Sequence, residues 1–190
     1  MGTSTQAEHF VQFYESEAFL AESVAAFIAG ALAAGNRAIV IATPEHRSAI
    51  ADVLMSRSVD APGAIRRGQL VSLDAAETLE KFMVNGSPDA RLFRETIGPL
   101  IARLTEGGRT LRAFGEMVAL LAAQGNRSGA IQLEDLWNGL GEEHMFTLFC
   151  AYPIGQFNGA ADFESFEHIC GQHTRVVASE SFPTFPRGRS

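Results

Sequence analysis

Short, uniformly apolar runs alternate along this chain with longer stretches in which apolar residues recur every three or four positions. The first pattern suits strands buried on both faces and the second suits amphipathic helices. Their alternation predicts βα units around a mostly parallel sheet. Strands are expected at 37–42, 69–73, 109–114, 145–152 and 174–178. The first helix follows Ser16, whose hydroxyl can cap it, and carries Phe19, Leu20, Val24, Phe27, Ile28, Ala31 and Leu32 to a stop at Gly35. Thr43-Pro44-Glu45 opens the next helix with a hydroxyl cap, a first-turn proline and an acid. A short helix is expected around 78–84. Ser87-Pro88-Asp89 repeats the opening signature for a helix to about Glu106, which Pro99 should kink or break. Further helices are expected after Glu116, over 128–140, and around Phe163, Phe166 and Ile169. The fold class is therefore α/β: a three-layer, mostly parallel five-stranded sheet with helices on both faces. Residues 1–180 read as a single domain and 181–190 as a flexible C-terminal tail.

Composition narrows the partners. Of the 190 residues, 46% are hydrophobic and 19% charged, a mix that buries a core without disulfides or metal. The net charge of −7 and scattered basic residues argue against nucleic acid, whose binding rests on neutralising phosphates. The first nine residues lack the apolar core of a signal peptide, and the apolar stretch 18–34 is interrupted by Glu22 and Ser23, so no membrane span is expected. Cys150 and Cys170 have no metal-spaced partner. A reduced, cytoplasmic protein with free thiols, no cofactor and no bound metal is the resulting expectation.

A parallel α/β sheet invites a nucleotide hypothesis, but the chain holds no GxxxxGK[ST] loop, GxGxxG turn, GxSxG elbow or HExxH pair. The first strand-to-helix turn reads as Ala42-Thr43-Pro44-Glu45-His46, with no glycine to wrap phosphates and no lysine to meet their charge. No catalytic constellation is assembled, so catalysis is not expected.

Ligands in open α/β sheets bind beyond the carboxyl ends of the strands, which singles out Thr43, Asp74, Glu116, Tyr152 and Pro153. Glu116 follows an apolar strand and Gly115; it either accepts a ligand hydrogen bond or holds a histidine, or is simply a helix-start acid. Cys150 and Tyr152 alternate on one strand and share a face, with Phe157 in the next loop. Together they read as an apolar pocket wall or as core. His9, with Phe13 and Tyr14 ahead of the first helix, reads as a polar anchor, a pH-sensitive group, or part of a docked segment. His173 has the same alternatives. His46 and His144 read as surface residues, and Trp137 as core.

Taken in order, His9-x-x-x-Phe13-Tyr14, Phe114-Gly115-Glu116-Met117, Leu136-Trp137-Asn138, Phe149-Cys150-Ala151-Tyr152-Pro153 and Ile169-Cys170-x-x-His173 resemble the MEDS domain, a methanogen/methylotroph sensory domain. The resemblance runs from His9 to Glu180. It implies a degenerate RecA/KaiC-like fold without a phosphate loop, and a sensory role toward small hydrocarbon derivatives. His9, Tyr14, Glu116, Cys150, Tyr152 and His173 match its motif positions. No kinase or helix-turn-helix segment follows Glu180, so the signal would pass to a separate signalling protein such as a histidine kinase. The leading expectation is a sensor of a small, largely apolar ligand, with Glu116 and His9 as anchors and Cys150, Tyr152 and Phe157 as the wall. The alternatives are an interaction scaffold that docks a kinase or self-associates, and an enzyme using Cys150 as nucleophile.

Overall fold

The computed structural model describes residues 7–157, 163–177 and 180, so the expected tail at 181–190 lies outside the described residues. Strands β1 (Glu8–Tyr14), β2 (Arg37–Ala42), β3 (Leu70–Asp74), β6 (Leu111–Gly115), β7 (Phe146–Pro153) and β8 (Arg175–Val177) form one sheet in the order β3-β2-β6-β7-β1-β8. Every pairing in it is parallel. Met83–Val84 and Ser87–Pro88, β4 and β5, make a separate antiparallel pair.

The sheet has six strands among the described residues, not five. The added strand is β1, which lies between β7 and β8 and is paired on both sides. His9 and Gln12 interrupt its apolar pattern, so Glu8–Tyr14 is not expected as a strand; both side chains are buried in the fold. Consequently the first strand-to-helix turn is Glu15-Ser16, and the Ala42–His46 turn is the second.

Alternation along each strand divides the core in two. Ile39 and Ile41 of β2, Val11 and Phe13 of β1, and Leu148, Cys150 and Tyr152 of β7 face one side. There they meet α4 (Ala75–Glu80), α5 (Ala90–Thr105), α6 (Met117–Ala123), α7 (Arg127–Glu143) and α8 (Phe163–Gln172). Ala38, Val40, Phe10, Tyr14 and Phe149 face the other side, against α1 (Glu17–Ala33), α2 (Pro44–Ser56) and α3 (Ala61–Arg66). The result is the expected three-layer arrangement. Phe149 stacks on Phe10 at 4.7 Å and meets Phe27 and Phe114 edge-on. Burying such a ring stabilises the fold by about 2–3 kcal/mol.

Helix starts follow the local chemistry. The Phe19 amide donates to Ser16 Oγ at 3.3 Å, and the His46 amide to Thr43 Oγ1 at 3.4 Å. For α5 the cap is Asp89, which accepts from the Leu92 amide at 2.8 Å, and not Ser87, which pairs in β5. The helix runs through Pro99 without a break.

Candidate functional site

The expected site residues separate into two groups, one gathered around Glu134 and the other around Glu116. His9 is the second residue of β1, near its amino end, whereas Glu116 follows the carboxyl end of β6. They do not share a site.

The first group lies between the β1–β7 surface and helices α7 and α8. His9 Nε2 sits 3.2 Å from Cys150 Sγ and 3.2 Å from Glu134 Oε2. His173 Nε2 lies 3.5 Å from Glu134 Oε1, and the two imidazole rings are 4.1 Å apart. The Tyr152 hydroxyl donates to Glu134 Oε1 at 2.8 Å. Glu134 is fully buried and His173's side chain is 0% exposed. Burial disfavours the Glu134 anion, but the His9 hydrogen bond, the neighbouring imidazoles and the Tyr152 hydroxyl outweigh it and hold its pKa below the usual carboxylate range. Burial lowers the pKa of His173. It raises those of the Cys150 thiol and the Tyr152 phenol, and the Glu134 charge raises both further. Burial and the Glu134 charge therefore hold Cys150 as a protonated thiol, the form that is not nucleophilic.

Each member is placed by a regular element. β1 and β7 pair with His9 opposite Leu148, so alternation sends His9, Cys150 and Tyr152 to one face. α7 supplies Glu134 and Asn138, one turn apart. Thr174 follows α8, and its amide donates to the His9 carbonyl at 2.7 Å, which brings His173 against β1. Beyond Tyr152, Phe157 meets Phe13, Tyr152 and Phe166 edge-on or tilted at 5.5–5.9 Å. These rings pack against one another beside the cluster, and Cys150 and Tyr152, expected in a pocket wall, are buried in the core.

At the amino end of the same layer a cleft of about 450 Å³ opens between β1, β7 and α7. Trp137, Met145, Phe146 and Leu148 make its apolar lining, and His9 and Asn138 contribute polar atoms. His9 therefore faces the cleft and the buried cluster at once.

The second group closes the carboxyl ends. Glu116 Oε2 accepts from the Thr43 amide at 2.8 Å, and Glu116 Oε1 pairs with His46 Nδ1 at 2.6 Å. His46 Nε2 in turn pairs with Glu17. His46, expected at the surface, has a side chain only 14% exposed, because two carboxylates from different elements hold it. The Glu116 hydrogen bond raises its pKa to about 9 against the opposing effect of burial. Tyr14 lies in the same neighbourhood, where burial and the charges of Glu17 and Glu116 raise its pKa. Asp74 caps α4 through the Glu77 amide.

The true first turn carries a carboxylate of the chain itself. Glu180 accepts from the Glu15 amide at 3.0 Å, the Ser16 amide at 2.7 Å and the Ser16 hydroxyl at 2.8 Å. A helix N-terminus is a natural anion site, and here the anion is internal. Glu15-Ser16 has neither glycine nor lysine.

Comparison with known proteins bears on this architecture. A family model described as "MEthanogen/methylotroph, DcmR Sensory domain" matches residues 8–171. The chain belongs to the MEDS family. This MEDS domain is similar in fold to the KaiC-like protein PH0186 from the hyperthermophilic archaeon Pyrococcus horikoshii OT3, with a TM-score of 0.57. Identity is 12%, and the alignment covers 94% of this chain and 75% of that one. No curated protein matches. Among the described residues of this MEDS domain no helix is long and apolar enough to cross a membrane.

Three residues of these sites escaped the sequence reading: Glu134, Asn138 as a hydrogen-bonding residue, and His46. Glu134 had a usable signal. It stands four residues after Ala130 and three before Trp137, so it is a lone acid on the apolar stripe of a helix.

Proposed function

We propose that this MEDS domain is a non-catalytic sensor that binds a small, largely apolar molecule, such as a short hydrocarbon derivative, in the cleft at the amino ends of β1 and β7. The observation that carries the reading is the cleft itself. Its volume of about 450 Å³ lies within the range of small-molecule sites, and apolar walls from Trp137, Phe146 and Leu148 accompany the polar residues Glu8, His9, Asn138, Glu142 and Thr174. His9 and Asn138 provide the connection inward. Asn138 Oδ1 accepts from His9 Nδ1 at 2.8 Å, while Asn138 Nδ2 donates to the Gln172 carbonyl at 3.2 Å and to its Oε1 at 2.9 Å. A ligand that shifts Asn138 thus acts on β1, α7 and α8 together. It signals to the extent that it favours one of two arrangements of these elements, and a separate signalling protein reads the outcome.

The test is a thermal-shift screen of short hydrocarbons, haloalkanes and alcohols on the wild type and on Gly141→Leu. Gly141 lies on α7 at the cleft, where an added Cβ meets only Ala7 at 3.7 Å, so leucine is tolerated and fills the space. A ligand at 100 times its Kd stabilises by about 2.7 kcal/mol, which raises Tm by roughly 5–10 °C in a domain of this size. The shift is expected in the wild type and absent in Gly141→Leu. No shift from any compound, or an equal shift in the variant, refutes the reading.

A further inference from the structure

The buried cluster beside the cleft has more acceptor atoms than its hydrogens can satisfy. His173 Nδ1 lies 2.6 Å from the Ile169 carbonyl, which only accepts, so this nitrogen carries the hydrogen. Asn138 Nδ2 is fixed by two acceptors on Gln172, so Asn138 Oδ1 faces His9 and His9 Nδ1 carries its hydrogen. Whenever either ring is neutral its lone pair is therefore on Nε2, pointing at the Glu134 carboxylate, another acceptor. His173 Nε2 is buried without a hydrogen-bond partner. An unpaired buried acceptor is destabilising, and this one is aimed at three further potential ligand atoms.

The geometry points to a binding site for one divalent cation of the zinc class, held by His9 Nε2, His173 Nε2, a Glu134 oxygen and Cys150 Sγ. The four ligand atoms lie within 4.8 Å of one another. His9 Nε2, Cys150 Sγ and Glu134 Oε2 are 3.2, 3.2 and 3.6 Å apart, close to the edges of one face of a tetrahedron with metal–ligand bonds of about 2.0–2.3 Å, roughly 3.3–3.8 Å, and His173 Nε2 lies 3.5 Å from the other carboxylate oxygen. Two imidazoles, one carboxylate and one thiolate are a borderline-soft set that suits zinc better than magnesium or calcium. The charges balance: the cation's two positive charges meet one carboxylate and one thiolate. On binding, metal–nitrogen, metal–oxygen and metal–sulfur bonds form, the Cys150 S–H bond breaks heterolytically, and its proton leaves to solvent. The outer contacts are those metal sites use to fix histidine tautomers: a backbone carbonyl on His173, an amide oxygen on His9 and a tyrosine hydroxyl on Glu134. His9 lines the cleft, which gives an entry path.

The full chain, stripped with a strong chelator under reducing conditions and with no organic ligand present, is titrated with Co²⁺ and then Zn²⁺. One equivalent of Co²⁺ is expected to produce the visible bands of a tetrahedral site with a sulfur-to-metal charge-transfer band, which one equivalent of Zn²⁺ abolishes. Cys150→Ser loses the charge-transfer band. His173→Gln weakens binding by more than the roughly 10–100-fold that loss of an outer contact costs. Asn138→Ala, an outer contact, weakens it within that range and serves if the other variants fold poorly by circular dichroism. Cys170→Ser retains the spectrum, and the titration contains no organic compound, so failure of the organic-ligand reading leaves this result intact. Absence of a tetrahedral spectrum from the folded wild type overturns the inference, as does unchanged affinity in Cys150→Ser, His173→Gln and Asn138→Ala.

Discussion

Raising pH should release the clamp at the carboxyl ends of the strands, and the effect can be isolated with His46→Gln. His46 titrates near 9 in the fold, against an ordinary value near 6.5, because Glu116 hydrogen-bonds the imidazolium and Glu17 pairs with its other nitrogen. A pKa raised on folding stabilises fully below the unfolded value and loses that stabilisation as pH climbs through the folded one. Treating His46 alone, the linkage is worth about 3 kcal/mol at or below pH 7, about 1 kcal/mol at pH 8, and almost nothing by pH 10. Glu17 is 68% exposed, so solvent screening reduces its share and these values are upper limits. The assay is urea unfolding of wild type and His46→Gln at half-unit steps from pH 6 to pH 10. Subtracting one stability curve from the other removes groups common to both. The difference should be largest at pH 6–7 and shrink steeply between pH 7.5 and 9.5. A difference that stays flat across that window refutes the argument that His46 is charged between its two carboxylates.

Three further outcomes follow from packing and caps. Phe149→Ala removes a ring enclosed by Phe10, Phe27 and Phe114, and should cost about 3–5 kcal/mol by urea unfolding; a loss under 1 kcal/mol contradicts the packing. Ser16→Ala deletes the α1 cap and one bond to Glu180, so a stability loss of about 1 kcal/mol is expected, where no change means the cap contributes nothing. Iodoacetamide should label half-buried Cys170 well before fully buried Cys150, as read by peptide mass mapping of native protein; the reverse order contradicts the burial of Cys150.

Strands β2, β3, β6 and β7 were legible in the sequence because each is an apolar run bounded by turn chemistry. The first strand was not, since buried strands are read by uninterrupted apolarity and its His9 and Gln12 break the run. That omission moved the first crossover to the wrong turn, although Glu15-Ser16 is as poorly suited to phosphate as Ala42–His46. The candidate residues are found individually, but the sequence reading places Glu116 and His9 together as anchors of one site because both match motif positions of the resemblance. Their separation depends on β1 lying beside β7, a pairing between residues more than 130 positions apart that no local pattern encodes. Spacing rules missed the four-residue cluster for the same reason. His9, Glu134, Cys150 and His173 come from four separate parts of the chain, so no short motif contains two of them.

The position of β1 has a consequence for synthesis. Within the described fold this strand is made well before its neighbours β7 and β8, which follow it by more than 130 residues. At roughly 5–20 residues per second, Phe10, Val11, Phe13 and Tyr14 wait on the order of ten seconds with both strand edges unpaired. A nascent chain therefore carries a sticky unpaired segment until β7 and β8 emerge, when chaperone engagement or mispairing with a neighbouring nascent chain competes with its eventual insertion.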